Sequence, residues 1–127
     1  MKIIILDDSL TVRMIIEAYL EELGVEDNDI YPFENGIEAI KYIDENGADI
    51  IFTDVHMPKM DGYEFVKKVL EYNSALASSI FVISGDEDKA GIKKMKSIGV
   101  QRFIKKPINK SIFNHFVAPE IDKRLKR

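Results

Sequence analysis

Short apolar runs alternate with stretches of helical period along this chain. Ile3-Ile4-Ile5-Leu6 is brief, β-branched and closed by polar residues, so residues 2–6 read as a buried strand. Val12, Ile15, Ile16, Tyr19, Leu20 and Leu23 then fall at i, i+3, i+4 spacing, one apolar face of a helix. Ser9 suits its N-cap and Gly24 its stop. Residues 29–33 form a second strand. Pro32 inside it cannot donate to a ladder, which puts that strand at a sheet edge. Residues 37–45 are helical and end near Asn46-Gly47. Residues 49–53 form a third strand, whose run Ile50-Ile51-Phe52 suits a position covered on both faces. A third helix spans 62–72 with Val66, Val69 and Leu70 inward, followed by a polar loop over 73–79. Residues 80–83 are a fourth strand, 88–98 a basic helix ended by Gly99, and 101–104 a fifth strand. The last helix starts near Lys110, and Pro119 either breaks or kinks it or opens a new turn at its first position.

Five strand–helix pairs in strict alternation predict a doubly wound α/β fold, (βα)5, around a five-stranded parallel sheet. A chain of 127 residues suits one domain over 1–127, with residues 119–127 as a basic extension of the last helix. The absence of cysteine excludes disulfides, thiol nucleophiles and Cys-ligated metal centres. The apolar runs fall far short of the ~20 residues that span a bilayer, so no membrane insertion is expected. Asp7-Asp8 interrupts the first run before a secretory core forms, and a cytoplasmic location is the default expectation.

Charge changes the picture once it is divided by position. The net −4 averages 20 acidic and 6 basic residues over 1–88 with 2 acidic and 12 basic over 89–127. No Asp or Glu lies between Lys89 and Pro119. A run so free of acids points to a surface of one sign around Lys89, Lys93, Lys94 and Lys96.

The candidate chemistry lies where strands end. Asp7 and Asp8 follow the first strand, Asp54 the third, Ser84 the fourth and Lys106 the fifth. In an open parallel sheet those ends emerge on one edge, where ligands of such folds bind, so residues about 100 apart in sequence should meet. Carboxylates without His or Cys side chains form an oxygen-only site suited to Mg2+. A carboxylate can also attack phosphorus and form an aspartyl phosphate, with a lysine and a hydroxyl contacting the phosphoryl oxygens. Taken singly, each signal has a plainer reading. Asp7-Asp8 could cap a helix, Asp61-Gly62 and Ser84-Gly85 could be turns, and His56 and His115 could be ordinary imidazoles.

Asp7-Asp8, Asp54 within Asp54-Val55-His56-Met57-Pro58-Lys59-Met60-Asp61-Gly62, Ser84-Gly85 and Lys106-Pro107 follow one another in order over roughly residues 2–118. In this the chain resembles the receiver domains of two-component response regulators, most closely the single-domain chemotaxis type. The resemblance implies the sheet order 2-1-3-4-5. It implies that Asp54 accepts a phosphoryl group from a histidine kinase or phosphotransfer protein, assisted by Lys106 and Ser84. It implies Mg2+ held by Asp7, Asp8, Asp54 and the backbone carbonyl of His56, with Asp7 acting mainly through water. Ser84 and Phe103 would be the switch pair, and a cis Lys106–Pro107 peptide is expected. His56 and Asp86 would occupy positions that set the dephosphorylation rate.

The resemblance further implies a signalling module rather than an enzyme, although one that assists its own phosphorylation and dephosphorylation. It would act through a face of helix 4, strand 5 and helix 5 on a downstream protein. Lys93, Lys94, Lys96, Phe103 and Lys105 are the candidate contacts there. The basic face favours an acidic protein partner, and monomer or phosphorylation-dependent dimer are both open. Two other classes share part of this pattern. A haloacid-dehalogenase-like phosphatase also uses an aspartyl phosphate, but it expects an Asp where His56 stands, and a cap insertion. A nucleic-acid binder could use the basic third, yet no binding motif accompanies it.

Overall fold

A computed structural model describes residues 1–126. The elements in order are β1 Ile3–Leu6, α1 Leu10–Glu22, β2 Ile30–Phe33, α2 Gly36–Asn46, β3 Ile50–Asp54, α3 Gly62–Tyr72, β4 Ile80–Ser84, α4 Lys89–Ser97, β5 Arg102–Lys105 and α5 Lys110–Leu125. All strands pair in parallel, in the order β2-β1-β3-β4-β5. Pro32 therefore lies on an edge strand, as its missing N–H requires.

Strand periodicity divides the core in two. Ile3 and Ile5 of β1 point to one layer with Phe52, Phe81, Ile83, Ile104 and the α1 and α5 residues Ile16, Leu20, Phe113 and Val117. Ile4 and Leu6 point to the other, with Ile51, Val82, and Ile43, Phe65, Val69 and Met95 from α2, α3 and α4. The first layer contains a stack of rings, with Phe52 centred 5.2 Å from Phe81 and 5.6 Å from Phe113. Parallel strands buried on both faces need no alternation, which explains the unbroken apolar runs.

Helix boundaries follow local chemistry. Ser9, Asn35, Asp61 and Asn109 each cap a helix, their side-chain oxygens accepting from the backbone N–H three residues on. Three details differ from the periodicity reading. Residues 73–79 are not an open polar loop: Ser74–Ser79 winds into 3₁₀ turns that bury Leu76. In α3 the fully buried residue beside Val66 and Val69 is Phe65, while Leu70 is half-buried. The start of the fourth helix is a 3₁₀ turn, Asp86–Asp88, before α4 proper.

Pro119 neither breaks α5 nor begins a new turn, because the helix runs through it to Leu125. Proline removes a hydrogen bond there, but tertiary contacts on both sides compensate. Phe113, Val117 and Ile121 are fully buried against the sheet. Beyond the proline, Arg124 reaches Glu120 at 3.3 Å, Asp49 at 3.6 Å and the Ser79 hydroxyl at 3.4 Å. Residue 127 lies outside the described residues. Among the described residues no helix is long and apolar enough to cross a membrane.

Candidate functional site

The register of the sheet sets the site. Asp54 ends β3 opposite Ile83, and Ser84 ends β4 opposite Lys105, so the residues that follow these strands crowd one edge. Asp7, just past β1, is 1 % exposed, Asp54 is 6 % exposed, and Asp8 faces solvent. One carboxylate oxygen from each of the three lies within 4.8 Å of the others. The structure thus brings together every strand-end acid singled out in the sequence.

Individual bonds fix the geometry. Asp7 Oδ1 accepts from Ser9 N at 2.8 Å, and the Asp7 carbonyl accepts from Arg13 at 2.6 Å. Asp54 Oδ1 accepts from Val55 N at 2.7 Å and from Lys106 Nζ at 3.1 Å, which leaves Oδ2 without a hydrogen bond among the described residues. Lys106 is held by its own backbone, whose N–H donates to the Ser84 carbonyl at 2.7 Å, and the Lys106–Pro107 peptide is cis. Gly62 makes the close approach possible: a Cβ there would collide with the Asp54 carbonyl oxygen.

Electrostatics mark the cluster as incomplete. Burial, and then the nearby Asp54 and Asp8 charges, push the Asp7 carboxyl from 3.8 up to about 6, against the Ser9 N–H and Lys106, which act to lower it. Lys106 is held above its usual range: burial acts to lower it, but the Asp54 hydrogen bond and the Asp54, Asp7 and Asp88 charges prevail. Asp7 Oδ2 is buried without a hydrogen-bond partner among the described residues. An orphaned carboxylate oxygen beside two more acids, with no soft donor, fits a hard divalent cation such as Mg2+.

The switch and surface candidates separate. Ser84 is buried, and Phe103 is half-buried. They line one cavity of about 300 Å³ between α4 and β5, together with Lys89, Ile92 and Lys96. Lys96 sits over the Phe103 ring at 5.7 Å, and exposed Lys93 follows Lys89 by one helical turn. Lys105 pairs with Asp86 at 2.7 Å, both exposed. Lys94 departs from this group: its Nζ lies 5.5 Å from the Tyr63 ring centre, so it leans towards α3.

Asp88 was missed in the sequence, where it was simply the first residue of a helix. It is 3 % exposed, and its Oδ1 lies 2.8 Å from His56 Nε2. The available signal was its place three residues after Gly85, whose N–H it accepts at 2.7 Å, as in a capping box.

Acids and a lysine at the carboxyl edge of a 2-1-3-4-5 parallel sheet define a doubly wound α/β protein whose ligand-binding edge carries an acidic cluster suited to a hard cation. The model of the response regulator receiver domain matches residues 3–117, and the chain belongs to that family, as a receiver domain of two-component systems. It is 35 % identical over 113 residues to chemotaxis protein CheY1 of Helicobacter pylori strain J99, covering 88 % of this chain and 90 % of that protein. The crystal structure of a two component transcriptional regulator AraC from Clostridium phytofermentans superimposes with a TM-score of 0.82 at 28 % identity, over 99 % of this chain and 96 % of that one. The receiver domain of a sensor histidine kinase from Pseudomonas aeruginosa, described with a magnesium ion coordinated in its active site cleft, shares the fold. It has a TM-score of 0.74 at 19 % identity, over 91 % of this chain and 95 % of that one. Neither the phosphatase nor the nucleic-acid reading finds support among these relatives.

Proposed function

We propose that Asp54 is the phospho-acceptor and that this chain takes its phosphoryl group from a phosphohistidine on a histidine kinase or phosphotransfer protein. The observation that carries this is the asymmetry of the Asp54 carboxylate. Oδ1 is held by Val55 N and Lys106 Nζ, and Oδ2 has no such partner. Oδ2 attacks phosphorus, an O–P bond forms as the N–P bond breaks, and the departing imidazole nitrogen keeps the electron pair and takes up a proton from water. Lys106, already at Asp54, pairs with the oxygens of the transferred group. Asp7, Asp8, Asp54 and the His56 carbonyl would hold Mg2+, which supplies positive charge beside the phosphoryl oxygens.

Ser84 then moves towards the acyl phosphate, and Phe103 turns into the cavity both residues line. The change is read on the face formed by α4, β5 and α5. Lys89, Lys96 and Lys105 line the cavity with Phe103 there, exposed Lys93 follows Lys89 by one helical turn, and Ile112 and Phe116 are exposed at 48 % and 41 %. An isologous dimer would set this basic patch against itself, so the partner we infer is a different protein with acidic and apolar residues. The same proposal sets the chain in the cytoplasm, with which a cysteine-free sequence is compatible.

Acetyl phosphate with Mg2+, read by intact-protein mass spectrometry, tests the acceptor. One phosphoryl mass on the wild type and none on Asp54→Asn is the expected result. No incorporation, or equal incorporation in the variant, removes the assignment.

A further inference from the structure

Asp88 is a buried carboxylate that the phosphoryl chemistry does not use. It stands where the turn Asp86–Asp88 hands over to α4. Its Oδ2 accepts from Gly85 N at 2.7 Å, and Gly85 directly follows Ser84. Its Oδ1 lies 2.8 Å from His56 Nε2, but the imidazole is not aligned to donate to it, and this buried oxygen has no hydrogen-bond partner among the described residues. His56 is two residues beyond Asp54, with its side chain 70 % exposed. A single carboxylate thus spans the loop after the acceptor and the loop after the switch hydroxyl.

The packing around this bridge is close. A Cβ at Gly91 would stand 2.6 Å from Val55 Cγ1, so the α4 backbone rests on the residue next to Asp54. Met95 of the same helix is fully buried. A helix mounted so tightly has discrete positions rather than a continuum, and a shift of α4 against residues 54–56 must remake the Asp88 contacts.

We propose that His56 and Asp88 form a latch, with Asp88 as a positioning residue that holds Gly85, and through it Ser84, in the resting arrangement. This rests on the receiver-switch reading above. When Ser84 moves towards a phosphorylated Asp54, Gly85 N leaves Asp88 Oδ2 and the carboxylate loses its place opposite His56. A contact made in one state and lost in the other biases the equilibrium by its own free energy. Removing it raises the population of the switched state and therefore the apparent affinity for any ligand that selects that state.

The test is a beryllofluoride titration in saturating Mg2+, followed by amide NMR, on wild type, His56→Ala, Asp88→Asn, the double variant and His56→Gln. His56→Ala is expected to bind beryllofluoride about threefold more tightly, given a modest gain from a half-exposed charge-assisted contact. The double variant should gain no more than the better single one, because both remove the same contact. His56→Gln, which keeps an N–H donor, should return towards wild type. The Gly85 amide of ligand-free His56→Ala should shift towards its beryllofluoride-bound position, a change that general loosening does not produce. Unchanged or weaker binding in His56→Ala, which alters an exposed side chain and should fold, overturns the latch, as do additive effects. A wild type that fails to bind, or that binds no better than Asp54→Asn, overturns the receiver reading and the latch with it.

Discussion

The two ends of the sheet hold similar side chains and treat them differently. At the amino edge, Glu120 lies between Arg102 at 3.5 Å and Arg124 at 3.3 Å, Arg124 reaches Asp49, and Asp49 accepts from Lys2 N at 2.7 Å. Each acid there has a base or an amide. At the carboxyl edge, Lys106 contacts Asp54 within the cluster of Asp7, Asp8 and Asp54, and buried oxygens of Asp7 and Asp88 lack hydrogen-bond partners among the described residues. The first arrangement ties α5 to the strands. The second leaves charge unbalanced where a cation and a phosphoryl group can complete it. Chemical satisfaction distinguishes structure from site more sharply than residue type does.

The strongest way to break that comparison is Asp7→Asn. The folded-state pKa of Asp7, about 6, lies above its ordinary 3.8, so the native state binds more protons between these values. Ligand-free stability should therefore fall as pH rises from about 4 to about 6, and the loss should be complete at pH 7. Removing the charge should stabilise the ligand-free protein at pH 7 by about 2–3 kcal/mol, flatten that pH dependence and weaken Mg2+ binding. Urea unfolding across pH, with and without Mg2+, measures all three. A destabilised variant would place Asp7 with the structural acids instead.

A smaller effect of opposite sign is expected at the other end. Glu120→Ala leaves Arg102 and Arg124 without their shared carboxylate. It should cost about 1–2 kcal/mol after allowance for partial exposure, with acetyl-phosphate labelling of Asp54 unchanged. Altered labelling would show that the two edges communicate. Smallest of all is the Lys110–Glu22 pair, 3.0 Å apart and 54 % exposed on both sides. Lys110→Ala should change stability by less than about 0.5 kcal/mol, with no change in Mg2+ binding, by the same measurements. A larger loss would mean that surface pairing contributes more to this fold than its exposure suggests.

Much of the fold was legible because the signals are local. An apolar run ended by Asp7 or Asp54 marks a strand and its end, Ser9 and Gly24 bracket α1, and Pro32 belongs on an edge. The three acids and Lys106 were legible for the same reason, since topology alone collects strand ends. Asp88 was not, because Asp86, Glu87 and Asp88 look alike in sequence, and only the turn buries the third. Lys94 belongs to the same acid-free basic run as Lys93, but neighbouring helical positions differ by about 100° and face different partners. The path through Pro119 was equally closed to local rules, because it depends on contacts with Asp49 and Ser79, which are far away in sequence.

The sequence by itself determined which residues could meet at one edge, because strand periodicity and parallel connection constrain topology before any packing is known. Tertiary structure alone decided which of those groups are satisfied. It fixed the two bonds on Asp54 Oδ1, the orphaned oxygen of Asp7 and the reach of Asp88 between two loops. Burial and partner geometry are properties of the assembled neighbours, and they convert an ordinary carboxylate into one that is poised or merely paired.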